Sequence, residues 1–210
     1  MSITATVRLW CSSPGRALKI SRVYILALVI ALLAVPTRAR ATTVETLTFD
    51  QLVSQADVIF VGDVVDVHPY SIQVRGRTVI RTRVTFRVSD PIYGTKSLVE
   101  VFDFFGGEMN GIGMAVEGMP TFNTGDRRVV FAHRDPSINP IVGFTQGLLR
   151  ITRDGNGVEH VLTSQGFPLA RVESLGAPPT LGPRMAPGTS MSLADVRGRI
   201  VSALAQAHKQ

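Results

Sequence analysis

The sequence predicts a mostly β fold: a small closed OB-like antiparallel barrel with a short N-terminal helix and a C-terminal helix, with a β-sandwich as the alternative. Three observations carry this. Valine-rich segments of strand length recur between turn residues from Asp57 to Leu162. One of them, Val79 to Asp90, alternates strictly between apolar and polar positions. Helical patterns, outside the first 41 residues, occur only near the two ends of the chain.

The elements follow in order. Thr48-Phe49-Asp50-Gln51 fits a T-x-x-Q capping box and opens a short helix, FDQLVSQA. Asp57 to His68 reads as a long strand with a bend or bulge at Gly62. PYSIQVRGR reads as turn chemistry. In the next strand Ile80, Thr82, Val84, Phe86 and Val88 share one face, and Arg81, Arg83, Thr85 and Arg87 the other. Leu98 to Phe105 is a third strand and Arg127 to His133 a fourth; IVGFTQ and a hairpin from Leu148 to Leu162 complete the set. That hairpin is expected to turn at Asp154-Gly155-Asn156-Gly157 through positive φ angles. Four segments result: a signal peptide at 1–41, the β-domain at 42–173, a Pro/Gly-rich linker at 174–190 and a C-terminal helix at 191–210. Ser192 is the candidate cap of that helix, and Leu193, Val196, Ile200 and Leu204 form its apolar stripe.

The leader changes how the charge is read. Arg16, Lys19 and Arg22 precede the apolar run Val23 to Val35, then Pro36 and the small-x-small triplet Ala39-Arg40-Ala41. This is the signature of export with cleavage near Ala41, to the periplasm or beyond. The apolar run is shorter than the roughly 20 residues of a membrane-spanning helix, so no stable span is expected after cleavage. Six of the 22 basic residues lie in this leader, which holds no acidic residue; beyond it the charges balance at 16 and 16. The formal charge of +6 is therefore a property of the leader, and nucleic acid is not an expected partner. Cys11 and Trp10 also fall in the leader, so a disulfide framework and a thiol nucleophile are both excluded from the exported part.

FDQLVSQADVIFVGDVV, the IYG turn, VEGMPTFNTGDRRVVF and VGFTQGLLRI together resemble a family of secreted bacterial proteins of undetermined function, over Thr46 to Thr152 and weakly the terminal helix. These motifs are structural glycines, a proline and strand apolars, so the resemblance implies no functional residues. More distantly, ADVIFVGDVV followed by paired strands is similar to the OB-like domain of tissue inhibitors of metalloproteinases and netrins. That similarity implies a protease as partner, although the half-cystines of that family, including the N-terminal one, are absent here.

The most unusual stretch is Phe104 to Asp126, with six glycines and three methionines. It lacks the third glycine of a dinucleotide loop and the Gly-Lys-Ser/Thr of a phosphate loop, and no cofactor is implied. Met109, Met114 and Met119 are soft ligands in type, but no His or Cys accompanies them, and Met commonly fills gaps under irregular chain. Glu108, Met109, Met114, Glu117, Met119 and Phe122 are the candidate partner surface, because long segments on rigid sheets tend to carry function. Arg75, Arg77, Arg81, Arg83 and Arg87 form a candidate anion face for polysaccharide, lipid head groups or nucleic acid. The last would also want stacking aromatics, which are absent from the outward positions, and the plainer account is cross-strand ion pairs with Asp57, Asp63 and Asp66. Asp154-x-Asn156-x-x-Glu159 lacks the remaining ligands of a calcium loop and reads as a turn.

The expectation is an exported, non-enzymatic binding module with a protein partner. The alternatives are an extracellular hydrolase or metal-dependent enzyme using Asp103, Glu108 or His133, and a structural envelope component.

Overall fold

The computed structural model describes residues 46–135, 138–175 and 190–207. The leader and most of the Pro/Gly-rich linker therefore lie outside the described residues. Helix α1 (Phe49–Gln55) opens with the capping box as expected: Gln51 N donates to Thr48 Oγ1 at 3.2 Å, and Thr48 N donates to Gln51 Oε1 at 2.8 Å. Eight strands follow: β1 (Val58–Val74), β2 (Arg77–Tyr93), β3 (Val99–Phe105), β4 (Gly107–Met109), β5 (Ile112–Met114), β6 (Arg127–Ala132), β7 (Leu148–Arg153) and β8 (Glu159–Leu162). A 3-10 turn at Val172–Ser174 precedes helix α2 (Leu193–Ala207). Among the described residues no helix is long and apolar enough to cross a membrane.

The main sheet is antiparallel, six-stranded and ordered β3-β2-β1-β6-β7-β8. Its end strands, β3 and β8, do not pair, so the expected closed barrel is corrected to an open, bent sheet. Bulges explain the bending. Register shifts fall between Ile59 and Phe60, Val61 and Gly62, and Val64 and Asp66, and each bulge kinks a strand and adds twist. On the free edge of β3 a loop takes the place of a strand. Phe105 N donates to Ile138 O at 3.1 Å, and Arg134 reaches both Glu100 and Gly94 O.

Both faces of the sheet are packed. Ile59, Val61, Val129, Phe131, Leu149 and Val161 lie under α1 and α2. On the opposite face Phe60, Phe86 and Phe102 meet at ring separations of 5.7, 6.3 and 6.1 Å, joined by Val84, Phe104 and Val130. This two-sided burial is why VIFV in β1 and VVFA in β6 are continuous apolar runs, whereas β2 alternates. Helix α2 belongs to the first core through Val196 and Ile200, and Ser192 caps it by accepting from Asp195 N at 3.1 Å.

Three local expectations are corrected. PYSIQVRGR is strand almost throughout: β1 runs to Val74 and β2 starts at Arg77, so the turn is Arg75-Gly76 alone, with φ of 49° and 75°. Pro69 is tolerated because it faces Thr82, whose backbone groups point toward β3 and ask nothing of it. IVGFTQ is not a strand. Beyond the Ala132–Ile141 bridge, Gly143 and Phe144 both adopt positive φ, and the chain turns back on Phe131, whose N donates to Gly147 O. Between β7 and β8 the chain turns at Asp154-Gly155-Asn156-Gly157 as expected, but positive φ is confined to Gly157 (83°). Asp154 Oδ1 accepts from both Asn156 N and Val158 N, so an Asx-type turn stands in place of a primed one.

Candidate functional site

The Gly-rich stretch leaves β3 through Gly106-Gly107. Their φ angles are 96° and 133°, and a Cβ on Gly107 would lie 2.3 Å from Thr82 Oγ1. Only glycine lets the chain turn there while lying against β2. It then forms a hairpin that the sequence reading missed: β4 and β5 pair as Gly107↔Met114, Glu108↔Gly113 and Met109↔Ile112 around Asn110-Gly111. The signal was present, since Asn-Gly between apolar residues is the strongest short hairpin cue. From Ala115 the chain returns across the open end of the second core. Phe122 plugs into it, 4.7 Å from Phe104 and 5.7 Å from Phe86 by ring centroids.

Between hairpin and returning segment lies a cleft of about 580 Å³. Its apolar surface comes from Phe104, Met114, Val116, Met119 and Phe122, and Glu108 is the one ionisable residue in its lining. Of the six predicted surface residues, Glu108, Met114, Met119 and Phe122 are thus brought together. Met109 and Glu117 lie outside the lining, Met109 half-buried and Glu117 exposed. Val116 and Phe104 belong to the cleft without having been singled out.

Three of the five arginines meet acidic or carbonyl oxygens. Arg83 grips Asp103 with two hydrogen bonds, at 3.0 and 3.2 Å, and lies 5.1 Å from the Tyr70 ring centre. Arg87 lies 3.9 Å from Asp63, and Arg81 donates to Asp103 O. Arg75 and Arg77 sit apart at the exposed hairpin tip. Burial raises the Asp103 carboxyl, but hydrogen bonds from Arg83 and Tyr70 outweigh it and hold the group below its ordinary value. Exposed pairs of this kind contribute about 0–1 kcal/mol each.

Asp103, Glu108 and His133 do not converge. Asp103 faces Arg83, which pairs with His68 on β1, while His133 lies 3.8 Å from Asp57 at the other end of that strand. Eleven strand positions separate the two levels, on the order of 35 Å. Among the described residues no three His, Cys, Asp or Glu side chains are grouped to hold a metal ion.

A second polar constellation escaped the sequence reading. Buried His160 places Nε2 3.1 Å from Asp154 Oδ2 and Nδ1 3.2 Å from Ser190 O, joining the β7–β8 turn to the segment that leads into α2. The Asp154 bond, then the Ser190 carbonyl, raise the imidazole above its ordinary value.

The fold and cleft define a class, an open antiparallel sheet carrying an apolar recess on a grafted hairpin. No protein-family model matches the chain, and no curated protein does.

Proposed function

We propose that the chain is an exported binding module whose β4–β5 hairpin and returning segment form the contact surface for a protein partner. The observation that carries the reading is the cleft itself. Apolar side chains predominate around a recess large enough for one or two residues of a partner, with Glu108, Thr82 and Thr121 as its polar side chains. Met114 and Met119 can re-pack around different occupants. The leader supports export, and the similarity to tissue inhibitors of metalloproteinases supports a protease as the first partner to try.

The test uses the exported chain from Thr42 onward, alongside a Gly113→Trp variant. Gly113 lines the cleft and a Cβ there meets nothing within 4 Å, so tryptophan adds bulk at the cleft mouth and along the β5 edge without a backbone clash. Crosslinking in the exported fraction of the source cell should yield one reproducible protein, lost with the variant. Equal recovery by both chains, or no protein partner, overturns the proposal.

A further inference from the structure

We infer that the cleft takes an extended peptide segment in which a large apolar side chain stands next to a lysine or arginine. This rests on the reading of the cleft as a partner surface and names the partner's chemistry.

Three observations carry it. First, Phe104 and Phe122 line the recess with their rings 4.7 Å apart, and Phe122 is itself packed edge-on against Phe86 at 5.7 Å. An apolar side chain entering it therefore meets a rigid aromatic base and pliable methionine walls. Second, the charge at the rim has one sign. Glu108 lines the cleft and no Lys or Arg does, while Glu117 is exposed on the returning segment nearby. An acidic peptide would meet repulsion there, and a neutral one would forgo the charge-assisted bond that Glu108 offers. Third, the hairpin presents a strand edge. Its two-residue turn makes Met109↔Ile112 the closing pair, so the ladder alternation turns the N–H and C=O of Gly113 away from β4. Gly113 lines the cleft and has no side chain to shield those groups. An extended segment laid along β5 would gain backbone bonds there, place one side chain in the recess, and bring an adjacent basic group to Glu108.

The experiment is selection of a displayed random 12-residue peptide library on the exported chain, repeated on Glu108→Lys and Gly113→Trp. Wild type should enrich peptides with Leu, Met or Phe beside Lys or Arg. Glu108→Lys should cost those peptides at least about tenfold in affinity and shift enrichment toward Asp and Glu, and Gly113→Trp should abolish enrichment. Far-UV circular dichroism and a thermal midpoint confirm that each variant folds. Enrichment without basic residues, or basic peptides that bind Glu108→Lys equally well, overturns the inference while leaving the partner reading intact. Peptides that bind Gly113→Trp undiminished overturn both. Vesicles of neutral and anionic phospholipid are the control; binding to them that Gly113→Trp abolishes, with no peptide enriched, assigns the cleft to acyl chains and also overturns the inference.

Discussion

His160 and Asp154 form a latch whose two ends differ in chemistry. One imidazole nitrogen meets the Asp154 carboxylate at 3.1 Å, while the other meets the Ser190 carbonyl at 3.2 Å. Both partners only accept, so both bonds form together only when the ring carries two protons. Next to the latch, Val161 N donates to Met191 O and Met191 N donates to Leu169 O, fixing the approach to α2.

The latch makes stability depend on pH in a definite direction. The imidazole is raised above 6.5 by the Asp154 bond first and the Ser190 carbonyl second. Its contribution is complete below 6.5 and is lost as pH rises through the folded value. Asp154 is lowered below 3.8, first by the His160 bond, so its share is complete above 3.8 and is lost as pH falls through the lowered value. The thermal midpoint should therefore decline on the alkaline side of 6.5, with hydrogen exchange rising first around Met191 to Val196. His160→Gln should flatten that alkaline limb.

Gly107→Ala should unseat the hairpin and spare the sheet. The new methyl would lie 2.3 Å from Thr82 Oγ1 at a φ of 133°. The cost should be about 1–3 kcal/mol, read as faster hydrogen exchange confined to residues 106–114.

Phe86→Ala and Phe122→Ala separate core from cleft. Phe86 is fully buried and touches three other rings, so its truncation should cost about 3–5 kcal/mol in chemical denaturation. Phe122 is only partly buried, so its truncation should cost less stability but open the floor of the cleft, seen as a larger loss of partner binding.

Thr48→Ala removes the acceptor for Gln51 N and should cost about 1 kcal/mol. Thr48→Ser should restore most of it, which a denaturant midpoint series resolves.

Arg83 and Arg87 are already paired with Asp103 and Asp63, so the exported chain should not be retained on heparin at physiological salt. Retention that falls with Arg83→Ala would show that those pairs open readily.

Much of the framework was legible in the sequence because it depends on local patterns. The alternation from Ile80 to Val88, the Thr48 capping box and the Ser192 cap all reappear as hydrogen bonds or buried faces. Strand ends were less legible: Pro69 looks like a breaker until its position opposite Thr82 is known, which depends on the phase of a ladder set by β3. Barrel closure was misjudged for a similar reason. Whether β3 finds a strand or a loop at its edge depends on Ile138, 33 residues after Phe105. In the cleft, Glu108 and the methionines stood out by composition. Met109 and Met114 share a face of the hairpin, but Met109 stands next to the Asn110-Gly111 turn and Met114 at the hairpin base, so only Met114 lines the recess. Spacing of five residues carries no such information.

The reach of β1 has a practical consequence. β6 pairs with it only as far as Asp63, so from Val64 to Val74 the strand has β2 as its single main-sheet neighbour and ends in the exposed Arg75-Gly76 turn. Val67, Pro69 and Thr82 at the base of this ribbon line the cleft, while its tip takes no part in either core. A fluorophore or affinity handle grafted at that turn would leave packing untouched and report on the recess through two hydrogen-bonded strands. The molecule thus carries its own mounting point for single-particle or surface-immobilised measurements.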